Sequence, residues 1–338
     1  ISPYIGDSYE GLSGSFSPDE TEIFLQLVHL YFKEPVFSES AWANLTGRLS
    51  SLIENRNADP MNEYYDRITE VLTGNHYRSR PLDEERLASF NPEISAQVYS
   101  GRFSGADDFI FVFTGNADAE KLRPLVETYI ASLPAGTSGE IPVDRGVRAQ
   151  DGPVSETVFR GMEQQSRVHL SFTGSLEEWT PDAELQLSTS ASVIQTMLRE
   201  EIREAASGTY HISAAASVER EPRPSYKIHI DFGCEPGRVD ELSEEVLSVI
   251  GNASEGEVEE KYIIKQEQQY RRSYEEDVKK NSFWLNHLSS SFGYSDDPED
   301  ILTPEEFNEK ISPRSVSETI ETWFDPEQYL KVILMPAD

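Results

Sequence analysis

Two stretches of this chain repeat one order of signals. "PLDEERLASFNPEISAQVYSGRF" spans residues 81–103, and "FIFVF" follows at 109–113. "ILTPEEFNEKISPRSVSETIETWF" spans residues 301–324, and "YLKVIL" follows at 329–334. In the first, "LDEERLASF" and "NPEISAQVYSGRF" predict two short helices ahead of the apolar run, and the second stretch matches it throughout. Further back, Ser17-Pro-Asp-Glu20 has a capping-box pattern and opens a helix over "TEIFLQLVHLYF". That helix, 18–32, takes the place of 237–250. The offset between the copies stays at roughly 220 residues, and self-similarity at a fixed offset marks a duplicated domain.

The rest of the pattern fills in around the repeat. "SESAWANLTGRLSSLIENRN" and "PMNEYYDRITEVLTG" predict two helices, and "DFIFVFTG" predicts a buried strand. "NADAEKLRPLVETYIASLP" predicts a helix stopped by Pro134. The aperiodic Gly/Pro-rich run that follows is a linker. Beyond it come strands at "SETVFRG" and "RVHLSFTG", a long helix from Pro181 capped by Thr180, and a hairpin of "TYHISAAASV" with "YKIHIDFG". Helices return from Arg238 to Ile320, and "YLKVILMP" closes as a strand. The expected fold is α+β: two homologous domains, each with helices packed on one face of a mostly antiparallel sheet. The expected boundaries are 1–140, a linker at 141–152, and 153–338. The second copy has a front part, about 155–230, that the first lacks. The first domain is therefore expected to be truncated at its N-terminus and the chain to be the C-terminal piece of a longer polypeptide.

Composition narrows the function classes. The chain has 338 residues, enough for two full cores, and its 37% hydrophobic content is that of a globular protein. A formal charge of -32 excludes a phosphate-backbone binder, which needs basic patches. It fits a cleft that steers cations or a salt-adapted host, and the about two-to-one excess of arginine over lysine favours the latter. No apolar run approaches the roughly 18 residues of a membrane span, and no signal peptide opens the chain. Bacterial periplasm and cytoplasm both stay open as compartments. The single cysteine, Cys234, rules out an internal disulfide and reads as a small buried thiol at a strand end.

Three stretches carry a resemblance. "YEGLSGSFSPDETEIFLQLVHLYF" (9–32), "RFSGADDFIFVFTGNADAEKLRPLVETYIASLP" (102–134) and "LREEIREAASGTYHISA" (198–214), in this order and on a duplicated chain, resemble the pitrilysin/insulysin-type zinc peptidases. That family includes the mitochondrial processing peptidases. The resemblance implies two homologous halves closing around a peptide chamber. One half carries an inverted His-x-x-Glu-His zinc motif. The other lacks zinc and supplies an arginine and a tyrosine seven residues apart. Those two match Arg203 and Tyr210.

The residues themselves leave plainer readings open. None of the six histidines has the acid–histidine neighbours of a zincin motif, so this chain is expected to bind no metal and to be inactive alone. Zinc is expected in the N-terminal half or a partner subunit, and a peptide is the expected substrate. His169, His211 and His229 share parity with Ser171, Ser213 and Asp231 on three predicted strands. That is a metal-site geometry or, more plainly, the polar face of a sheet. "GLSGS" at 11–15 falls short of a nucleophile elbow, and "NLT" and "NAS" match the glycosylation sequon. An arginine on a helix is ordinarily a surface residue, and a tyrosine at a strand head is ordinarily packing. Parity places Tyr210 with Ile212, facing the core, unless it precedes the regular strand. With the resemblance, Arg203 and Tyr210 are the expected catalytic and substrate-binding pair. The rival expectation is a non-catalytic scaffold or partner subunit of the same family.

Overall fold

The computed structural model describes residues 1–136, 141–161, 164–205, 211–302 and 310–337. The first copy runs β1 (Ser2–Ile5), β2 (Glu10–Ser13), α1 (Thr21–Lys33), α2 (Glu39–Ala58), α3 (Pro60–Thr73), α4 (Glu84–Ala88), α5 (Pro92–Arg102) and α6 (Ala119–Tyr129). The second runs β3 (Val154–Gly161), β4 (Ser166–Ser175), α7 (Pro181–Ala205), β5 (His211–Glu219), β6 (Ser225–Cys234), α8 (Val239–Ser254), α9 (Glu260–Asp277), α10 (Asn281–Tyr294), α11 (Pro313–Trp323) and β7 (Leu330–Pro336). The α+β class expected from the sequence holds.

The duplication is visible in the caps. A proline-led 3-10 turn precedes both α1 (Pro18–Glu20) and α8 (Pro236–Arg238). α5 and α11 begin on Asn91-Pro92 and Ser312-Pro313, and the cap side chain accepts a backbone N–H in each. Both helices end on a buried phenylalanine, Phe103 and Phe324. α3 and α10 end on left-handed caps, Gly74 and Ser295.

The compact units do not coincide with the copies. One unit consists of Ile1–Leu52, Asp83–Val143 and Ser273–Pro304. The other consists of Ile53–Leu82, Asp144–Arg272 and Glu305–Asp338. Each unit therefore takes a helical stretch from the other copy.

The second unit is built on a five-stranded sheet of order β3-β7-β4-β6-β5, parallel only between β3 and β7. Alternation puts Val168, Leu170 and Phe172 of β4 on the same face as Ile228, Ile230 and Phe232 of β6. α7 lays Leu187, Ala191, Ile194 and Leu198 on this face, at the spacing of one helical stripe. α8 adds Leu242 and Val246, and α11 adds Val316 and Ile320. Each such fully buried side chain contributes about 1.5–3 kcal/mol. On the opposite face α3 covers the β3–β7 end, through Tyr64, Ile68 and Val71 against Val158, Leu330, Val332 and Leu334.

The first unit has a smaller core. Leu25, Val28 and Phe32 of α1 meet Phe103, Ile130 and Leu133. Phe32 packs edge-on against Phe103 and Phe109, at centroid distances of 5.1 and 4.8 Å. Gly105 lies against Gly136, where a Cβ on Gly105 would come within 2.1 Å of the Gly136 nitrogen. The run "DFIFVFTG" is a correction: 109–114 forms no ladder with any described strand. Its equivalent, β7, has β3 on one side and β4 on the other. An apolar alternating run becomes a strand only when a neighbour accepts its hydrogen bonds. Here Phe109, Phe111 and Phe113 instead lean on the α1 core. The hairpin β1–β2 was not foreseen.

Candidate functional site

The matched motif spans the end of α7 and the start of β5. α7 starts on Thr180, whose hydroxyl accepts from the Ala183 N–H at 3.1 Å, with Pro181 in the first helical position. The helix stays anchored to its last turns, since Leu198 and Ile202 are fully buried. Two side-chain hydrogen bonds tie α7 to its neighbours. Gln195 Oε1 accepts from the backbone N–H of Ala214 in β5 at 3.1 Å. The Tyr262 hydroxyl, on α9, donates to Glu200 Oε2 at 3.0 Å. On the far side Ile212 and Ala214 are buried in the core while His211 is exposed. Of the expected pair, Arg203 lies within α7. Its side chain, and Tyr210 altogether, lie outside the described residues. Gln195, Glu200 and Tyr262 carried no sequence signal beyond helical amphipathicity.

The polar histidine face forms as strand parity implies. Register puts His169, Asp231 and Ser213 in one row across β4, β6 and β5, and Ser171, His229 and Ala215 in another. His211 sits opposite Gly233, farther along the same edge of the face. His169 Nδ1 and Asp231 Oδ1 are 2.7 Å apart, and Ser171 Oγ is 2.6 Å from His169 Nε2. A neutral imidazole satisfies both bonds, donating to the carboxylate and accepting from the hydroxyl. The His229 ring stacks on His169 at 6.1 Å, and burial lowers its pKa from the usual 6.5. The Ser-His-Asp order is that of a hydrolytic triad, yet Ser171 is 0% exposed and its hydroxyl is committed within the sheet. Among the described residues no group of three His, Cys, Asp or Glu side chains is placed to hold a metal ion. Cys234 is buried, and burial pushes its thiol up to about 11. No described helix is long and apolar enough to cross a membrane.

The family described as "Peptidase M16 inactive domain" matches residues 99–270, just over half of the chain, and the chain belongs to it. The chain is 23% identical over 332 residues to the probable zinc protease PqqL of Escherichia coli (strain K12), covering 96% of this chain and 35% of that protein. It therefore spans about a third of the length of this relative. The crystal structure of the periplasmic protease PqqL from Escherichia coli superposes with a TM-score of 0.80 at 22% identity, over 94% of this chain and 35% of that one. The crystal structure of the first half of the same protease superposes with a TM-score of 0.73 at 10% identity, over 94% and 71% of the two chains. The pitrilysin-type resemblance thus holds, for the C-terminal half.

Proposed function

We propose that this chain is the zinc-free half of a clamshell metallopeptidase and completes the peptide-hydrolysing site of a zinc-bearing half. The observation that carries the reading is the family match over 99–270, which includes both α7 and β5. The zinc, and the water it activates, belong to the other half. This chain supplies Arg203 and Tyr210. Peptide hydrolysis passes through a tetrahedral oxyanion, and the Tyr210 hydroxyl donates to that oxygen. The Arg203 guanidinium forks onto substrate carbonyls or holds the phenol in place. The buried stripe of α7 and the Gln195 and Glu200 bonds hold α7 against β5 and α9, so the elements that flank the motif need little reorganisation. The peptide adds in extended form to a sheet edge of the zinc half, so main-chain bonds give affinity and side-chain selectivity is loose. Residues 1–140 form an incomplete copy of the domain at 153–338, with 141–152 between them. The ladder-free run at 109–114 supports this. The periplasmic location of the PqqL structure supports the cell envelope as the compartment.

The test is made on the whole gene product. Tyr210→Phe removes one donor and little volume, so folding and zinc content should hold. kcat and kcat/KM should fall together by about 100-fold or more. Arg203→Lys keeps the charge, loses the fork, and should also impair turnover. Normal turnover in Tyr210→Phe would remove the catalytic reading and leave a scaffold subunit.

A further inference from the structure

The two copies of one helix differ on their outer faces. α1 and α8 occupy equivalent places, each behind its proline-led 3-10 turn. Their inner faces agree: Leu25, Val28 and Phe32 are buried in α1, and the matching Ser243, Val246 and Ile250 are buried in α8. On the outer face α8 shows Glu241, Glu245 and Ser248 to solvent. That choice suits a chain of charge -32. The same positions of α1 hold Ile23, Leu27 and Leu30, exposed by 59, 40 and 46%. They follow at i, i+4 and i+7, so they form one stripe. α1 is thus apolar on two sides where its copy is apolar on one. Completing the first copy on the pattern of the second leaves this stripe uncovered, because the second copy leaves Glu241, Glu245 and Ser248 in water.

We propose that the outer stripe of α1 is an intramolecular docking face, covered by an apolar surface from the part of the polypeptide that lies outside this chain. The proposal rests on the reading of the chain as one part of a longer peptidase. The PqqL relative has about two-thirds of its length beyond the matched region, which supplies the candidate covering segment. Size and charge favour a tethered occupant over a second copy. A stable contact between free proteins buries about 1,200–2,000 Å², whereas three side chains over two helical turns bury only a few hundred. A linked segment needs far less, because tethering raises its effective concentration to about millimolar. Two copies carrying -32 each also repel one another.

Cysteine footprinting of the whole gene product tests the face. Cys234 is fully buried and its thiol is held protonated, so it labels slowly. Leu27→Cys and, in a second protein, Leu30→Cys are each compared with Glu245→Cys, the equivalent site to Leu27 on α8. Alkylation by iodoacetamide is read by peptide mass. The expected result is Glu245→Cys labelled freely and both α1 variants labelled at least about 100-fold more slowly in a monomeric protein, all three becoming equal in denaturant. Equal native labelling at α1 and α8 in a long gene product overturns the docking face and leaves the two-part peptidase standing. Protection that disappears on dilution from dimer to monomer gives the face to a second copy and overturns the proposal.

Discussion

His229 shows how a single residue sets the molecule's response to acid. Its ring is half-buried and stacks on His169, which is bonded to Asp231 and Ser171. Burial is the main cause that lowers the His229 pKa; Asp231 opposes it, while His169 and Lys227 reinforce it. The unfolded imidazole takes up its proton near 6.5, and the folded one only at lower pH. Stability from this group is therefore complete above about 6.5 and is lost as pH falls from there through the folded value. The urea midpoint should drop between pH 7.5 and 5, and His229→Asn should flatten that drop. An unchanged slope in the variant would remove His229 as the cause. Parity in the sequence placed these side chains on one face, because a strand's period of two is rigid. Their hydrogen-bonding order was not legible, since it depends on which strands become neighbours.

Among elements, the α7–β5 corner matters most. Gln195 holds the Ala214 N–H on the side of β5 that faces away from β6, its only partner strand among the described residues. Gln195→Ala would leave a buried donor unpaired, at a cost of about 1–3 kcal/mol. Thermal unfolding should show that loss, and kcat of the whole gene product should fall more than zinc content does. A variant with full stability and turnover would show the corner to be held otherwise. α7 itself was legible down to Thr180 and Pro181, because caps and a buried stripe are local signals. The partner of α3 was not. Tyr64, Ile68 and Val71 announce a buried face, but their spacing does not say that it lies on strands of the other copy. The run at 109–114 misled for the converse reason: it has strand chemistry without a described neighbour. The expectation for Arg203 and Tyr210 rests on the resemblance alone, since neither residue type is unusual in such a place, and it falls outside the described side chains.

For the whole molecule, the formal charge of -32 is a term spread over every surface. Salt shortens the screening length from about 10 Å at 0.1 M to about 3 Å at 1 M, so self-repulsion weakens. The melting temperature should rise markedly across that range. A flat response would mean that the acids are spaced or paired well enough not to strain the fold, and would end the salt-adaptation expectation. The exchange of helical stretches between copies reaches further. A cut near residue 143 divides both units along with the polypeptide, because each unit draws segments from both sides of that point. Neither product would inherit a whole set of core partners. Losing or trading one copy in a single recombination step would therefore strip core partners from both units at once.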